Sequence, residues 1–209
     1  MLNYLQTNTP EMQRLSLAIY HRLANGVPVN IQDLTADLRV SHADVIETLD
    51  AFPASHFELD PEDRIVAFCG LSIVTARHRI FIERRPLFTW CVFDPLFLAP
   101  LLETLINLQT VCPQTGRPIE LEISPEGVRW SKPRNAVMSM VDPDPAACRD
   151  NIRQAFCDKV SLFADATAYQ NWSKQKDEKS SFVDMNKAFE LALERNKYRY
   201  TESKKNPRL

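Results

Sequence analysis

The sequence contains few glycines and lacks the features that indicate several common classes of protein. Only 4 of its 209 residues are glycine, and no glycine-rich phosphate-binding motif is present. The formal net charge of −2 gives no general attraction to nucleic acid or to an anionic membrane surface. The longest apolar run, around residues 92–102, contains Asp94 and two prolines and is too short to cross a bilayer. We therefore expect no nucleic-acid partner and no membrane association.

The N-terminus also lacks the signals of a secreted protein. Residues 1–6 have neither the basic start nor the long apolar stretch of a signal peptide. We therefore expect a cytoplasmic location, in which the five cysteines are reduced thiols. Their odd number also argues against a framework built only from disulfides.

The hydrophobic pattern predicts an α+β fold with two parts. Helices are expected at 11–24, at 31–38 and after Ser41, where Asp44 would complete a capping box, and strands at 64–68 and 78–82. Three short helices followed by a hairpin predict a winged-helix-like unit over residues 1–80. This unit would pack on a mixed domain with a small sheet over residues 81–209.

A winged-helix-like unit suggests DNA binding, but its residues argue against that function. The candidate recognition helix carries Asp44, Glu47 and Asp50 and neither lysine nor arginine. Three carboxylates would repel the phosphate backbone, and the major groove is normally read by basic or amide side chains. We therefore expect this unit to pack against the rest of the chain.

The second half of the sequence shows mixed periodicity. A short helix is expected from about Cys91 to Leu108, and another over 145–155. A closing helix over 181–197 would place Phe182, Met185, Phe189 and Leu193 on one face. Strands are predicted at 118–123, 127–131, 136–141 and 159–164.

The cysteines offer several kinds of chemistry. A structural zinc site usually needs four nitrogen or sulfur ligands, often in paired C-x₂₋₄-C motifs, and this spacing does not occur. A thioredoxin-like site needs C-x-x-C, whereas here Cys91 is followed at the third position by Asp94. A Cys–His nucleophile stays open, although all four histidines precede Cys91. Free cysteines are also often buried as small apolar side chains, which is the simplest interpretation of Cys69 and Cys148.

Cys91 and Asp94 are harder to explain by packing alone. A spacing of three residues places both side chains on one face of a helix, and an unpaired charge is costly to bury in an apolar segment. Asp94 could equally be a helix cap or an exposed residue. Together with the distant Cys157, however, the pair could bind a soft metal and move a proton.

Three segments resemble organomercurial lyase, the alkylmercury lyase family. They are LFTWCVFD at 87–94, CPQTGRP at 112–118 with Ser124-Pro125, and RQAFC at 153–157 followed by VSLFA at 160–164. The similarity covers roughly residues 80–175, and the N-terminal third resembles the family only in its helical pattern. Asp158 stands where some family members carry an additional cysteine next to the second catalytic one.

The resemblance implies that Cys91 and Cys157 are catalytic thiols and that Asp94 is the catalytic carboxylate, with Cys112 structural. Cys91, Cys157 and Asp94 would together hold the mercury. The implied reaction is protonolysis of a carbon–mercury bond, which gives a hydrocarbon and Hg(II). The implied partners are an organomercurial substrate and, as Hg(II) acceptors, small thiols or mercuric reductase, with no cofactor. Two alternatives stay open at this point: a non-catalytic soft-metal carrier on the same scaffold, and a winged-helix regulator.

Overall fold

Three helices and a strand pair form the N-terminal part of the computed structural model, which describes residues 8–176 and 180–200. The described residues form seven α-helices: α1 Pro10–Ala24, α2 Ile31–Leu38, α3 His42–Asp50, α4 Asp94–Leu101, α5 Pro145–Ala155, α6 Ala166–Lys176 and α7 Met185–Arg199. Their strands are β1 Phe57–Leu59, β2 Ile65–Phe68, β3 Leu71–Ser72, β4 His78–Ile82, β5 Arg85–Thr89, β6 Ile106–Val111, β7 Pro118–Ser124, β8 Gly127–Lys132, β9 Val137–Met140, β10 Leu162–Phe163 and β11 Ser181–Asp184.

The caps of the first helices follow directly from the sequence. Thr9 precedes Pro10 at the start of α1, and its hydroxyl accepts a hydrogen bond from the Met12 N–H at 3.2 Å. Ser41 and Asp44 form the predicted capping box at the start of α3. Helices α1 and α2 therefore begin and end within a residue of their predicted positions, and α3 begins directly after Ser41 as predicted.

The strands form two antiparallel sheets, which together with the seven described helices confirm the α+β prediction. The strand order in the larger, eight-stranded sheet is β1-β2-β3-β5-β4-β6-β7-β8, and β9 lies between β10 and β11 in the smaller sheet. The prediction of a small sheet was therefore too modest for the described residues. The predicted boundary at residue 80 falls within β4, and the larger sheet takes strands from both sides of it. The winged-helix assignment of the N-terminal unit stays a prediction.

Two predicted helices were partly wrong. The helix expected over 91–108 is only α4, and β6 begins at Ile106. Pro100 lies in the last turn of α4, and Glu103 then adopts a left-handed conformation with φ of 50°, so the chain turns back toward the sheet. The closing helix begins at Met185, because the Asp184 side chain caps it by accepting from the Lys187 N–H at 2.8 Å. Phe182 consequently belongs to β11 and is 39% exposed.

Helix α4 lies in the core and carries Asp94 as its first residue. Residues 94–99 are all buried, as expected for a helix that is apolar on every side. Helix α7 packs against α4 through the Asn196 side-chain amide, which donates to the Phe97 carbonyl at 2.8 Å. Among the described residues, no helix combines the length and apolar composition that a membrane span requires.

Candidate active site

Cys91, Asp94 and Cys157 lie together in the interior. Their two sulfur atoms and one carboxylate oxygen are all within 4.8 Å of one another, and all three residues are buried. Cys91 lies in the turn between β5 and α4, Asp94 begins α4, and Cys157 begins a short 3₁₀ turn after α5. The three residues singled out from sequence are therefore brought together by three different local structures.

The turn that joins Cys91 to Asp94 fixes their geometry. The Cys91 N–H donates to Asp94 Oδ2 at 2.7 Å, and the Phe93 N–H donates to the Cys91 sulfur at 3.4 Å. The expectation that both residues lie on one face of a helix was wrong, because Cys91 precedes α4. Their proximity comes instead from the carboxylate folding back onto the turn.

Burial raises the pKa of Asp94 to about 7. The hydrogen bond from the Cys91 N–H and the positive charges of Arg195 and Arg153 act in the opposite direction and lower it. Loss of hydration is the larger effect, since Asp94 is only 5% exposed. The carboxyl group can therefore exchange a proton near neutral pH.

The raised pKa predicts how Asp94 affects stability. The folded protein holds the Asp94 proton up to about pH 7, whereas the unfolded chain loses it near its ordinary value of 3.8. The free energy of unfolding should therefore fall as the pH rises from 3.8 to about 7. Asparagine does not titrate, so the free energy of unfolding of Asp94→Asn, taken relative to that of the wild type, should be higher at about pH 8 than at about pH 4. Urea unfolding at the two pH values measures this difference.

A matched control is available for this measurement. Asp144 is exposed and caps α5 through its side chain, and asparagine caps helices equally well. Asp144→Asn should therefore show little pH-dependent difference from the wild type. If the stability of Asp94→Asn relative to the wild type instead fell between about pH 4 and about pH 8, Asp94 would not have a raised pKa.

The two thiols interact with each other. A hydrogen bond from the Cys157 thiol to the Cys91 sulfur, together with burial, raises the pKa of Cys157 well above its usual value. The negative charge of Asp94 acts in the same direction. The site therefore holds a proton on Cys157 at neutral pH, in reach of a carboxylate that can accept one.

Gly70 allows the carboxylate to occupy this position. Gly70 lies between β2 and β3 with φ of +107°, and an added Cβ would be 2.5 Å from Asp94 Cγ. Its carbonyl also accepts from the Trp90 N–H at 3.0 Å. Sequence reasoning missed Gly70, although a lone glycine between two apolar runs indicates a close approach of backbone.

Two arginines surround the site. The Arg153 guanidinium lies 4.2 Å from the centre of the Trp90 ring and forms an ion pair with Glu58. The Arg195 guanidinium lies 3.5 Å from the centre of the Phe97 ring and is buried. Sequence reasoning missed Arg195. The sequence signal for it is a charged residue at a position that the helical periodicity places on the buried face of α7.

A small cavity of about 50 Å³ opens onto the site. Asp94 and Cys157 line it, and Cys91 is fully buried beside them. By the usual allowance for a water molecule, this volume holds roughly three to five water-sized groups. Its aromatic lining residues are Trp90, Phe93, Phe97 and Phe156. The walls thus suit a small organic group attached to a soft atom.

The remaining cysteines differ in their surroundings. Cys112 and Cys148 are buried, in keeping with a packing role. Cys69 was also expected to be buried packing, but it is only partly buried and lines the cavity. Among the described residues, no histidine joins the cluster of Cys91, Asp94 and Cys157, which disfavours a Cys–His nucleophile at these thiols.

Comparisons with known proteins agree on one family. The alkylmercury lyase family model matches residues 71–195. The chain is 32% identical over 186 residues to the alkylmercury lyase of Staphylococcus epidermidis, covering 89% of this chain and 83% of that protein. It is 30% identical over 180 residues to the alkylmercury lyase of Bacillus cereus, covering 86% and 79%.

A solved structure agrees with the fold. The crystal structure of the mercury-bound form of MerB2 superimposes with a TM-score of 0.78, at 19% identity, covering 91% of this chain and 92% of that one. The matched residues begin directly after Gly70, end at Arg195, and include Cys91, Asp94 and Cys157. The chain therefore belongs to the alkylmercury lyase family of enzymes, which cleave carbon–mercury bonds.

Proposed function

We propose that this chain cleaves organomercurials by protonolysis, with Cys91 and Cys157 as mercury-binding thiols and Asp94 as the proton carrier. One observation carries the proposal: two sulfurs and a carboxylate lie within 4.8 Å of one another beside an apolar cavity. Soft thiolates are the protein ligands that soft metals prefer. A carboxylate in the same cluster can supply acid–base catalysis.

Cys157 captures the substrate first. Its thiol lines the cavity, whereas Cys91 is fully buried. The Cys157 sulfur bonds to mercury, its thiol proton passes to the ligand that accompanied R–Hg⁺, and that ligand leaves in its protonated form. The aromatic walls hold the organic group R by contact with its apolar surface.

Cys91 and Asp94 complete the reaction. Asp94 accepts the proton of the Cys91 thiol as that sulfur becomes the second ligand of mercury. Donation from two sulfurs increases the electron density on the carbon atom, and Asp94 then protonates it. The carbon–mercury bond breaks, R–H leaves, and Hg(II) stays held by the two sulfurs and the Asp94 carboxylate. A carboxyl group with a pKa of about 7 suits this role, because it can both accept and release a proton near neutral pH.

Small thiols or mercuric reductase would then accept the Hg(II), and the reaction requires no organic cofactor. The competing hypothesis is a carrier that binds mercury on the same three ligands without cleaving the bond. Such a carrier would need the thiols but not the proton transfer.

The test is incubation of the purified chain with phenylmercury and excess thiol. We expect benzene in the headspace in proportion to the phenylmercury consumed. Phenylmercury that stays intact on the protein, with no benzene above a protein-free control, would reject the lyase function and favour the carrier.

Gly70→Ala should impair this activity through Asp94. The added Cβ would be 2.5 Å from Asp94 Cγ, so the carboxylate must move, and a misplacement of this kind typically costs about tenfold or more in rate. We expect benzene release at saturating phenylmercury to fall by about tenfold or more while phenylmercury still binds, since both thiols are present.

Gly116→Ala is the matched control, because Gly116 also has a positive φ, of +68°. An added Cβ there would meet no described atom within 4 Å, so its benzene release should equal that of the wild type. The Gly70→Ala variant should also shift the pH dependence of the reaction, because its carboxylate has new surroundings. Wild-type rate and pH dependence in Gly70→Ala would show that Gly70 does not position Asp94.

A further inference from the structure

Cys69 and His56 lie next to each other at one end of the β1–β2 pair. His56 precedes β1 and Cys69 follows β2, and the Cys69 N–H donates to the His56 carbonyl at 2.9 Å. The Tyr20 hydroxyl donates to the Cys69 carbonyl at 3.2 Å. Cys69 has φ of 41°, a left-handed conformation that is unusual for a residue other than glycine. The backbone around this thiol is thus held in a specific, unfavourable conformation.

Both side chains face the same cavity as the active site. Cys69 and His56 line it together with Asp94 and Cys157. Cys69 is partly exposed, whereas Cys157 is only 4% exposed and Cys91 is fully buried. Cys69 is therefore the most exposed of the three cysteine residues at this cavity.

His56 has an unused polar atom at this position. Its side chain is only 6% exposed, and its Nδ1 has no hydrogen-bond partner among the described residues. Leaving such an atom buried without a partner costs free energy, which calls for an explanation. Burial and the charges of Arg199 and Arg195 lower the pKa of His56 to about 3, so the ring is neutral and can act as a nitrogen ligand.

The surroundings of Cys69 have opposing effects on the pKa of its thiol. Burial raises the pKa of its thiol to about 11, and Arg199 and Arg195 act against this by favouring the thiolate. The two arginines thus favour the thiolate, which is the form of cysteine that ligates a soft cation.

We propose that Cys69 and His56 form a second mercury site, one sulfur and one imidazole nitrogen, that receives Hg(II) from the Cys91–Cys157 pair and passes it to external thiols. This inference rests on the proposed function of that pair. It assigns the cavity a second use: after the hydrocarbon has left, the same opening becomes the exit path of the cation.

The transfer is a ligand exchange without any redox change. The Cys69 sulfur forms a bond to Hg(II), and the bond from Hg(II) to the Cys157 sulfur breaks. The proton of the Cys69 thiol moves to the Cys157 sulfur, and Asp94, which lines the same cavity as both, can carry it. The His56 nitrogen adds to the mercury, which is still bonded to the Cys91 sulfur. One external thiol then displaces the Cys91 sulfur and gives its proton to it, and a second displaces the Cys69 sulfur in the same way, so that Hg(II) leaves bonded to two external sulfurs.

The first test asks whether the site binds mercury by itself. The Cys91→Ser/Cys157→Ser double variant lacks the primary thiol pair, and mercuric chloride is the probe. We expect one Hg(II) to bind in the presence of a competing monothiol and to protect Cys69 from alkylation in peptide mass mapping. Adding Cys69→Ser should abolish this binding, adding His56→Phe should weaken it, and adding Cys112→Ser should leave it unchanged. Binding that survives Cys69→Ser, or that Cys112→Ser removes equally, would overturn the proposal.

The second test asks whether the site speeds release. Full-length wild type and Cys69→Ser are loaded with one equivalent of mercuric chloride and mixed with a dithiol in a stopped-flow instrument. An internal acceptor acts at an effective concentration on the order of millimolar or above, so release into a submillimolar dithiol should be about tenfold slower without it. Equal rates in both proteins would overturn the relay. Both tests use Hg(II) alone, so a failure of carbon–mercury cleavage would leave them unaffected and would be detected separately by benzene release.

Discussion

Cys91→Ser and Cys157→Ser are each expected to abolish the release of benzene from phenylmercury. A hydroxyl is a poor ligand for a soft metal, so neither variant can place two sulfur donors on mercury. The two sulfurs lie within 4.8 Å of each other and of the carboxylate, and they act as one unit. Loss of either thiol should therefore cost about as much as loss of both, since residues that act together are not additive.

Cys112→Ser is the control for the two thiol variants. Cys112 is equally buried but does not line the cavity, so the substitution tests whether loss of any buried thiol impairs the enzyme. We expect Cys112→Ser to retain benzene release. An unfolding curve should show that this variant is folded under the conditions of the assay. Turnover at the wild-type rate by Cys157→Ser would reject the two-thiol mechanism.

Asp94→Asn should separate binding from cleavage. Asparagine keeps the size and polarity of the side chain and can still accept from the Cys91 N–H, but it cannot accept and donate a proton in turn. Acid–base steps are typically worth about 10²–10⁴ in rate, so benzene release should fall at least about a hundredfold. Mass spectrometry of the intact protein should detect a phenylmercury adduct that persists.

Two outcomes would contradict this role of Asp94. Benzene release within a few-fold of the wild type would mean that another group protonates the carbon. Loss of the adduct together with the activity would mean that Asp94 is needed to bind the substrate. Asp144→Asn, the exposed capping residue, should behave as the wild type in both measurements.

The cluster of Cys91, Asp94 and Cys157, to which we assign the catalysis, could be singled out from sequence because its signals are local. Cys91 and Asp94 belong to one short segment, and Cys157 belongs to another whose pattern resembles the family. The reason given for the first pair, a shared helix face, was nevertheless wrong, because a turn and not a helix joins them. A spacing of three residues brings side chains together in a helix and in a turn alike, so the proximity of Cys91 and Asp94 was predicted although its cause was not.

The surroundings of the site could not be predicted in this way, because they come from distant parts of the chain. Gly70 meets Asp94 only because β3 pairs with β5, the strand that precedes the Cys91 turn. Arg195 reaches the cavity because α7 packs on α4. The larger sheet was underestimated because β3 is two residues long, too short for an alternating pattern to be recognised, and because β6 begins within the segment predicted as a helix.

In the proposed reaction a proton is added to carbon as the carbon–mercury bond breaks, and a single-turnover reaction in D₂O tests this step most directly. The protein, exchanged into D₂O, is mixed with phenylmercury and excess thiol, and the headspace is analysed by mass spectrometry. Because the thiol and carboxyl protons of the site exchange with solvent, the account predicts singly deuterated benzene, in amounts that match the Hg(II) formed. Undeuterated benzene, or a stable phenylmercury adduct without benzene, would contradict it.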